Sequence, residues 1–352
     1  MYSIIPDWRN IKPLGRTWQM TDSLWLAMSG SGAEFTFTGS LCRVTITGDD
    51  WAIDADQANN HARIAIYVDG VRVVDAMMDT ADKTFTVVDG ALGEHTIRIV
   101  KLSESAMSTC GVKAIEADGE IRLTARKARD IEFIGDSITC GYGVDDEDSE
   151  HHFLTVTEDA TRAYAYQTAQ MLDADYSLVS LSGYGIISGY TDTAEEPVTN
   201  QLMPAYYDKL GFSYASYQGQ KPEDIRWDFA ARQPDVVVIN LGTNDDSYCR
   251  DDVVRQEYFC SEYEKFLQRV RVCNTSAKII CTLGMMGDRL YPFVEKAAAE
   301  YMAQSGDTNI ACMHFIPQLD EDGRAADYHP TETTHSKAAK KLAAHISQLM
   351  GW

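Results

Sequence analysis

Near residue 125 the chain changes period, and no single repeating architecture accommodates both halves. Before that point apolar residues fall at every second position in "AEFTFTG" and "CRVTITG", as in strands with one buried face. "RIAIYVDGVRVVDAM" is two β-rich runs around Asp69-Gly70, a dipeptide that predicts a two-residue hairpin turn. "KTFTVVDGALGEHTIRIVKL" adds two further strands. Short strands at close spacing, with few helical patterns, predict an antiparallel, jelly-roll-like β-sandwich over residues 1–125.

After Arg129 five short runs are apolar throughout: "IEFIG", "YSLVSL", "DVVVINLG", "AKIICTLG" and "NIACMHF". Segments of helical period such as "TRAYAYQTAQML", "SEYEKFLQRVRV" and "KAAKKLAAHISQL" lie between or after them. Runs buried on both faces, alternating with helices, predict a three-layer α/β domain with a parallel sheet over residues 130–352. Such sheets carry their working residues beyond the carboxyl ends of the strands. "RLTARKARD" (122–130) reads as the join, and the long, aromatic-rich stretch 187–230 as an insertion over the edge of the sheet.

Charge narrows the partners. Thirty-one Lys and Arg stand against fifty-three Asp and Glu, a net charge of −22 that repels phosphate backbones and anionic lipid. Neither a nucleic acid nor a membrane is an expected partner. The N-terminus shows no basic region followed by an apolar one, and the eight cysteines are scattered without a C-x-x-C pair. Both features lead to the expectation of a reduced, cytoplasmic protein. An edge strand of the sandwich offers a route to a homo-oligomer.

"DIEFIGDSITCGYG" (130–143) places Ser137 just past the first of the five apolar runs. Asp136 or Ser137 can cap the following helix. A serine hydroxyl becomes a nucleophile only beside a base. Candidates to accompany it lie at the other strand ends: Asn244 in "NLGTNDD", a glycine in "SLSGYGI", and Asp327 and His329 in "DYHPTETTH". His335, deeper in the last helix, is the weaker candidate for the base. "DDEDSEHH" (145–152) reads as a solvated loop rather than a metal site. "GYGIISG" lacks the spacing of a dinucleotide fingerprint, and no G-x-S-x-G occurs.

The order Ser, Gly, Asn, then Asp-x-His resembles the SGNH (GDSL-type) hydrolase superfamily. With a β-sandwich ahead of the hydrolase domain and the motif "FIGDSITCGYG", the chain is similar to carbohydrate esterase family 2, which deacetylates plant cell-wall polysaccharides. The resemblance implies Ser137 as nucleophile, His329 as general base and Asp327 as its orienting partner. This chain has D-x-H where D-x-x-H is commonest, and in some relatives a backbone carbonyl holds the histidine instead. The implied oxyanion hole is the Ser137 N–H, Asn244 and a glycine, Gly183 or Gly185, of which strand-end counting prefers Gly185. Tyr184, Tyr190 and Trp227 are the aromatic candidates for sugar contact. The implied activity is removal of acetyl groups from xylan- or mannan-derived oligo- and polysaccharides, with no metal or organic cofactor. The competing readings are a general SGNH lipase, lysophospholipase or thioesterase, and a non-catalytic carbohydrate-binding protein.

Overall fold

The computed structural model describes residues 1–352 and divides into two compact units. The first comprises residues 1–127 together with 153–161 and 209–227, and the second 128–152, 162–208 and 228–352. Residues 209–227 of the predicted insertion thus belong to the first unit, and the rest of it to the second.

The first unit is antiparallel. Its strands are β1 (Tyr2–Ile4), β2 (Lys12–Leu14), β3 (Thr17–Gln19), β4 (Leu24–Leu26), β5 (Gly32–Gly48), β6 (Arg63–Val68), β7 (Val71–Met77), β8 (Asp82–Lys101), β9 (Cys110–Ala117) and β10 (Glu120–Leu123). The hydrogen-bonded order is β3-β4-β9-β5-β8-β6-β7, with β1 on β9 and β2 and β10 on β5. Bonding is therefore continuous through the long strands β5 and β8, not split between two sheets. A register shift between Gly39 and Leu41 explains how β5 serves one core along its whole length. Phe35 and Phe37 point inward before the shift, and Cys42, Val44 and Ile46 after it, so the buried parity changes from odd to even. Asp69 and Gly70 both take positive φ in the β6–β7 turn, as the hairpin dipeptide requires. A smaller apolar group forms where Trp25 and Ala27 meet Leu210 and Tyr217 from the third segment, with the Trp25 and Tyr217 rings stacked 5.0 Å apart.

The second unit holds a five-stranded parallel sheet in the order β12-β11-β13-β14-β15. Its strands are β11 (Asp130–Gly135), β12 (Asp175–Ser180), β13 (Val236–Asn240), β14 (Lys278–Leu283) and β15 (Ile310–His314). Every residue of the central β13 is buried, as a sheet covered on both faces demands. The helices are α1 (Ser137–Cys140), α2 (Tyr164–Met171), α3 (Met203–Tyr206), α4 (Thr243–Cys249), α5 (Val253–Cys273), α6 (Tyr291–Ser305) and α7 (Glu332–Met350), with α2 paired to α7 and α5 to α6. No helix is long and apolar enough to cross a membrane. Gly135 is in register with Ser180 on one side and Asn240 on the other. The residues that follow these three leave the sheet at one edge, where Ser137, Gly183 and Asn244 are found.

Candidate active site

Ser137 is the first residue of α1, and Asp136 caps it by accepting the Ile138 N–H at 3.0 Å. Both residues are buried. Burial pushes the Asp136 carboxyl up to about 7. Ser137 Oγ lies 2.9 Å from His329 Nε2. The other ring nitrogen, Nδ1, faces the carbonyl oxygens of Asp327 at 3.1 Å and Ala326 at 3.2 Å. Carbonyls only accept, so Nδ1 carries the proton and Nε2 is left to accept from the serine hydroxyl. Burial pushes the His329 imidazole down to about 4, against the pull of those two carbonyls. The neutral ring therefore prevails near neutral pH.

His329 follows an unusual turn. Asp327 and Tyr328 are consecutive non-glycine residues at φ +49° and +60°. Each left-handed residue costs about 1–2 kcal/mol, so the surroundings must impose the conformation. Asn244 lies at the start of α4, its Nδ2 donating to the Tyr184 carbonyl at 2.9 Å and reaching Asp136 Oδ2 only at 3.4 Å. One of its two N–H groups is thus firmly held and the other weakly.

Residues 133–337 match the GDSL-like lipase/acylhydrolase family, and residues 14–125 the carbohydrate esterase 2 N-terminal family. The chain belongs to the GDSL-like lipase/acylhydrolase family. This family member is 31% identical over 336 residues to the cellulase/esterase CelE of Acetivibrio thermocellus, spanning 93% of its own length but 38% of CelE. It is 25% identical over 331 residues to an acetylxylan esterase/glucomannan deacetylase of Cellvibrio japonicus, covering 90% of this chain and 85% of that one. A family two carbohydrate esterase from Clostridium thermocellum, solved with cellohexaose, superposes with a TM-score of 0.83 at 28% identity, covering 97% of this chain and 99% of that one.

The structure sorts the predicted residues of this family member. Ser137 and His329 meet, and Asn244 lies within 3.4 Å of the capping Asp136. Asp327 does not orient the imidazole through its carboxylate; the left-handed turn sends Oδ2 to the Tyr142 hydroxyl at 2.7 Å and Oδ1 to His152 Nδ1 at 2.8 Å. Its backbone carbonyl faces the ring instead. The preference for Gly185 is corrected, because its N–H is spent on the Gln201 carbonyl at 3.1 Å. The Gly183 N–H makes no such bond, and Gly183 takes φ +82°, which a glycine tolerates without strain. Tyr184 is corrected as a sugar contact: its side chain is buried edge-on against Tyr206. Trp227 is half-buried and packs on the Trp25 group of the first unit, with the Arg16 guanidinium 5.3 Å over its ring. Tyr190 stays available, 57% exposed, with its N–H on the Gly183 carbonyl at 2.9 Å. His335 is a core residue, accepting the Tyr164 N–H at 3.2 Å.

Two residues have contacts at the site that the sequence reading did not assign to them. Tyr142 stacks on His329, ring centroids 3.9 Å apart. Asp245, next to Asn244, is buried and accepts the N–H groups of Ile186, Ile187 and Ser188 at 2.6–3.1 Å, fixing the loop that follows Gly183. Burial pushes its carboxyl up to about 6, opposed by those bonds. The sequence signal for both was adjacency to a block residue, in "CGYG" and "TNDD".

Proposed function

We propose that the protein is a carbohydrate O-acetyl esterase that deacetylates xylan- or mannan-derived oligo- and polysaccharides through an acyl-enzyme on Ser137. The observation that carries the reading is the 2.9 Å contact between Ser137 Oγ and a neutral imidazole whose other nitrogen is fixed by two carbonyls. The name of the Cellvibrio japonicus relative supports the substrate class.

His329 Nε2 takes the serine proton as Oγ attacks the acetyl carbonyl. The oxyanion accepts from the N–H groups of Ser137 and Gly183 and from Asn244 Nδ2, whose weakly held hydrogen is the one that turns to it. The sugar oxygen leaves with the proton from the imidazolium, which is a strong acid because the free ring titrates at about 4. Water, deprotonated by His329, then releases acetate and restores the serine. Tyr190 offers its exposed ring to a sugar face. No disulfide joins any of the eight cysteines, six of which are buried, and this supports a reducing compartment as the working site. A homo-oligomer formed through an edge strand of the first unit belongs to the same reading.

The deciding experiment measures acetate released from acetylated xylo- and manno-oligosaccharides by wild type and Ser137→Ala, with a long-chain ester alongside. Release by wild type alone supports the esterase. Cleavage of the long-chain ester without acetate release transfers the reading to a lipase. A second reading, non-catalytic capture of a β-glucan, is favoured by the cellohexaose bound to the Clostridium thermocellum relative. Calorimetry with cellohexaose and silence on every ester would select it.

A further inference from the structure

The reaction above gives no task to Tyr142 or to the acidic stretch 144–152, yet both hold the turn that carries His329. The Tyr142 ring lies over the imidazole at 3.9 Å and 23°. Its hydroxyl donates to Asp327 Oδ2 at 2.7 Å, and its N–H donates to the Ser137 carbonyl at 3.2 Å. Asp146 and His151 accept the N–H groups of Ala326 and Asp327 at 3.1 and 2.9 Å, His152 holds the second oxygen of Asp327, and Glu150 bonds the Tyr328 hydroxyl. Gly143, at φ +60°, lets the strap approach: a Cβ there would stand 2.7 Å from the Ala326 Cβ.

We propose that Tyr142 is the positioning residue of His329: its ring seats the imidazole, and its hydroxyl, through the Asp327 carboxylate, locks the left-handed turn that aims two carbonyls at Nδ1. Unrestrained, Asp327 and Tyr328 would relax to ordinary backbone angles and swing the Asp327 carbonyl away. The Asp327 carboxylate is then a strut and not the proton-sharing partner of the histidine. Because Tyr142 also bonds the Ser137 carbonyl, nucleophile and base share one mounting. The titratable groups facing His329 are Ser137 and Tyr142 from the nucleophile side, Asp327 from its own turn and His335 from α7.

The inference rests on His329 being the general base, so its test has one readout that needs turnover and one that does not. Steady-state kinetics and an NMR titration of the His329 ring are measured on the full chain carrying Tyr142→Leu, Tyr142→Phe or Asp327→Asn, with Ser137→Ala as the separate check on the esterase reading. Tyr142→Leu is expected to lower kcat about 10²-fold with KM little changed, the order of loss that a misplaced reacting group brings. Water then reaches the ring, and its titration moves up from about 4 by more than ~1 pH unit. Tyr142→Phe keeps the seat and loses only the strut, so kcat falls roughly fivefold while the titration stays in place. Asp327→Asn, whose amide oxygen still accepts from Tyr142, also loses roughly fivefold. A leucine variant with unaltered titration overturns the proposal, as does a phenylalanine variant with full kcat. A loss of about 10⁴-fold on Asp327→Asn overturns it too, since that is what a proton-sharing carboxylate gives. Should the leucine variant not fold, the other two decide.

Discussion

Ser137 and His329, which meet at this site, are held in opposite ways. Ser137 begins a four-residue helix capped by its immediate neighbour, and its turn closes on itself through bonds from Gly141 and Tyr142 to its carbonyl. His329 sits after two strained residues held by a strap some 180 residues earlier in the chain. A nucleophile can be mounted by local sequence alone. A base that must aim one nitrogen at the serine and the other at two carbonyls here needs support from elsewhere in the chain.

The strongest way to break this contrast is to remove each member. Ser137→Ala and His329→Ala are each expected to cost about 10⁴-fold or more in acetate release, and the double variant little beyond either, because the pair acts as a unit. Additive losses in the single and double variants would show that the two act apart. Gly143→Ala strikes the base side only: its Cβ has no room beside Ala326, so kcat should fall about 10²-fold and the melting temperature with it. Melting curves and kinetics check both. Asp245→Ala would orphan the N–H groups of Ile186, Ile187 and Ser188 in a buried place, costing about 3 kcal/mol or more by urea denaturation. Asp136→Ala, which removes the cap of α1 and the weak contact from Asn244 Nδ2, should cost about 1 kcal/mol in the same assay. The mildest probe is pH. The His329 ring must be neutral to take a proton, so kcat/KM should hold as pH falls below the usual histidine range and drop only through about 4. An acid limb near 6.5 would mean that the ring is wetter than its packing implies.

The same contrast explains what could be read from the sequence. Ser137, Asn244 and His329 were legible because each stands at a fixed offset from an apolar run or a proline. The two periods on either side of residue 125 were legible for a similar reason, since burial on one face or two writes itself directly into the order of residues. Gly183 and Gly185 were not separable, because the decision lies in a bond from Gly185 to the Gln201 carbonyl, sixteen positions on. The direction of the Asp327 carboxylate depends on its φ of +49°, which nothing in "DYHP" announces. Tyr184 and Trp227 look like Tyr190 in sequence; only packing tells a core aromatic from an exposed one. Segments 153–161 and 209–227 carry no period that marks them as part of the first unit.

That last feature bears on how the molecule can be inherited. Trp25 completes its small core with Leu210 and Tyr217, and Arg16 reaches the Lys209 carbonyl at 2.8 Å. A gene cut after residue 127 would deliver an antiparallel unit without these partners and a second unit with two stranded loops. Neither piece would keep its full set of internal contacts. A recombination that keeps the first unit whole therefore has to carry everything from Met1 to Trp227, because no single crossover point in the gene separates the two units.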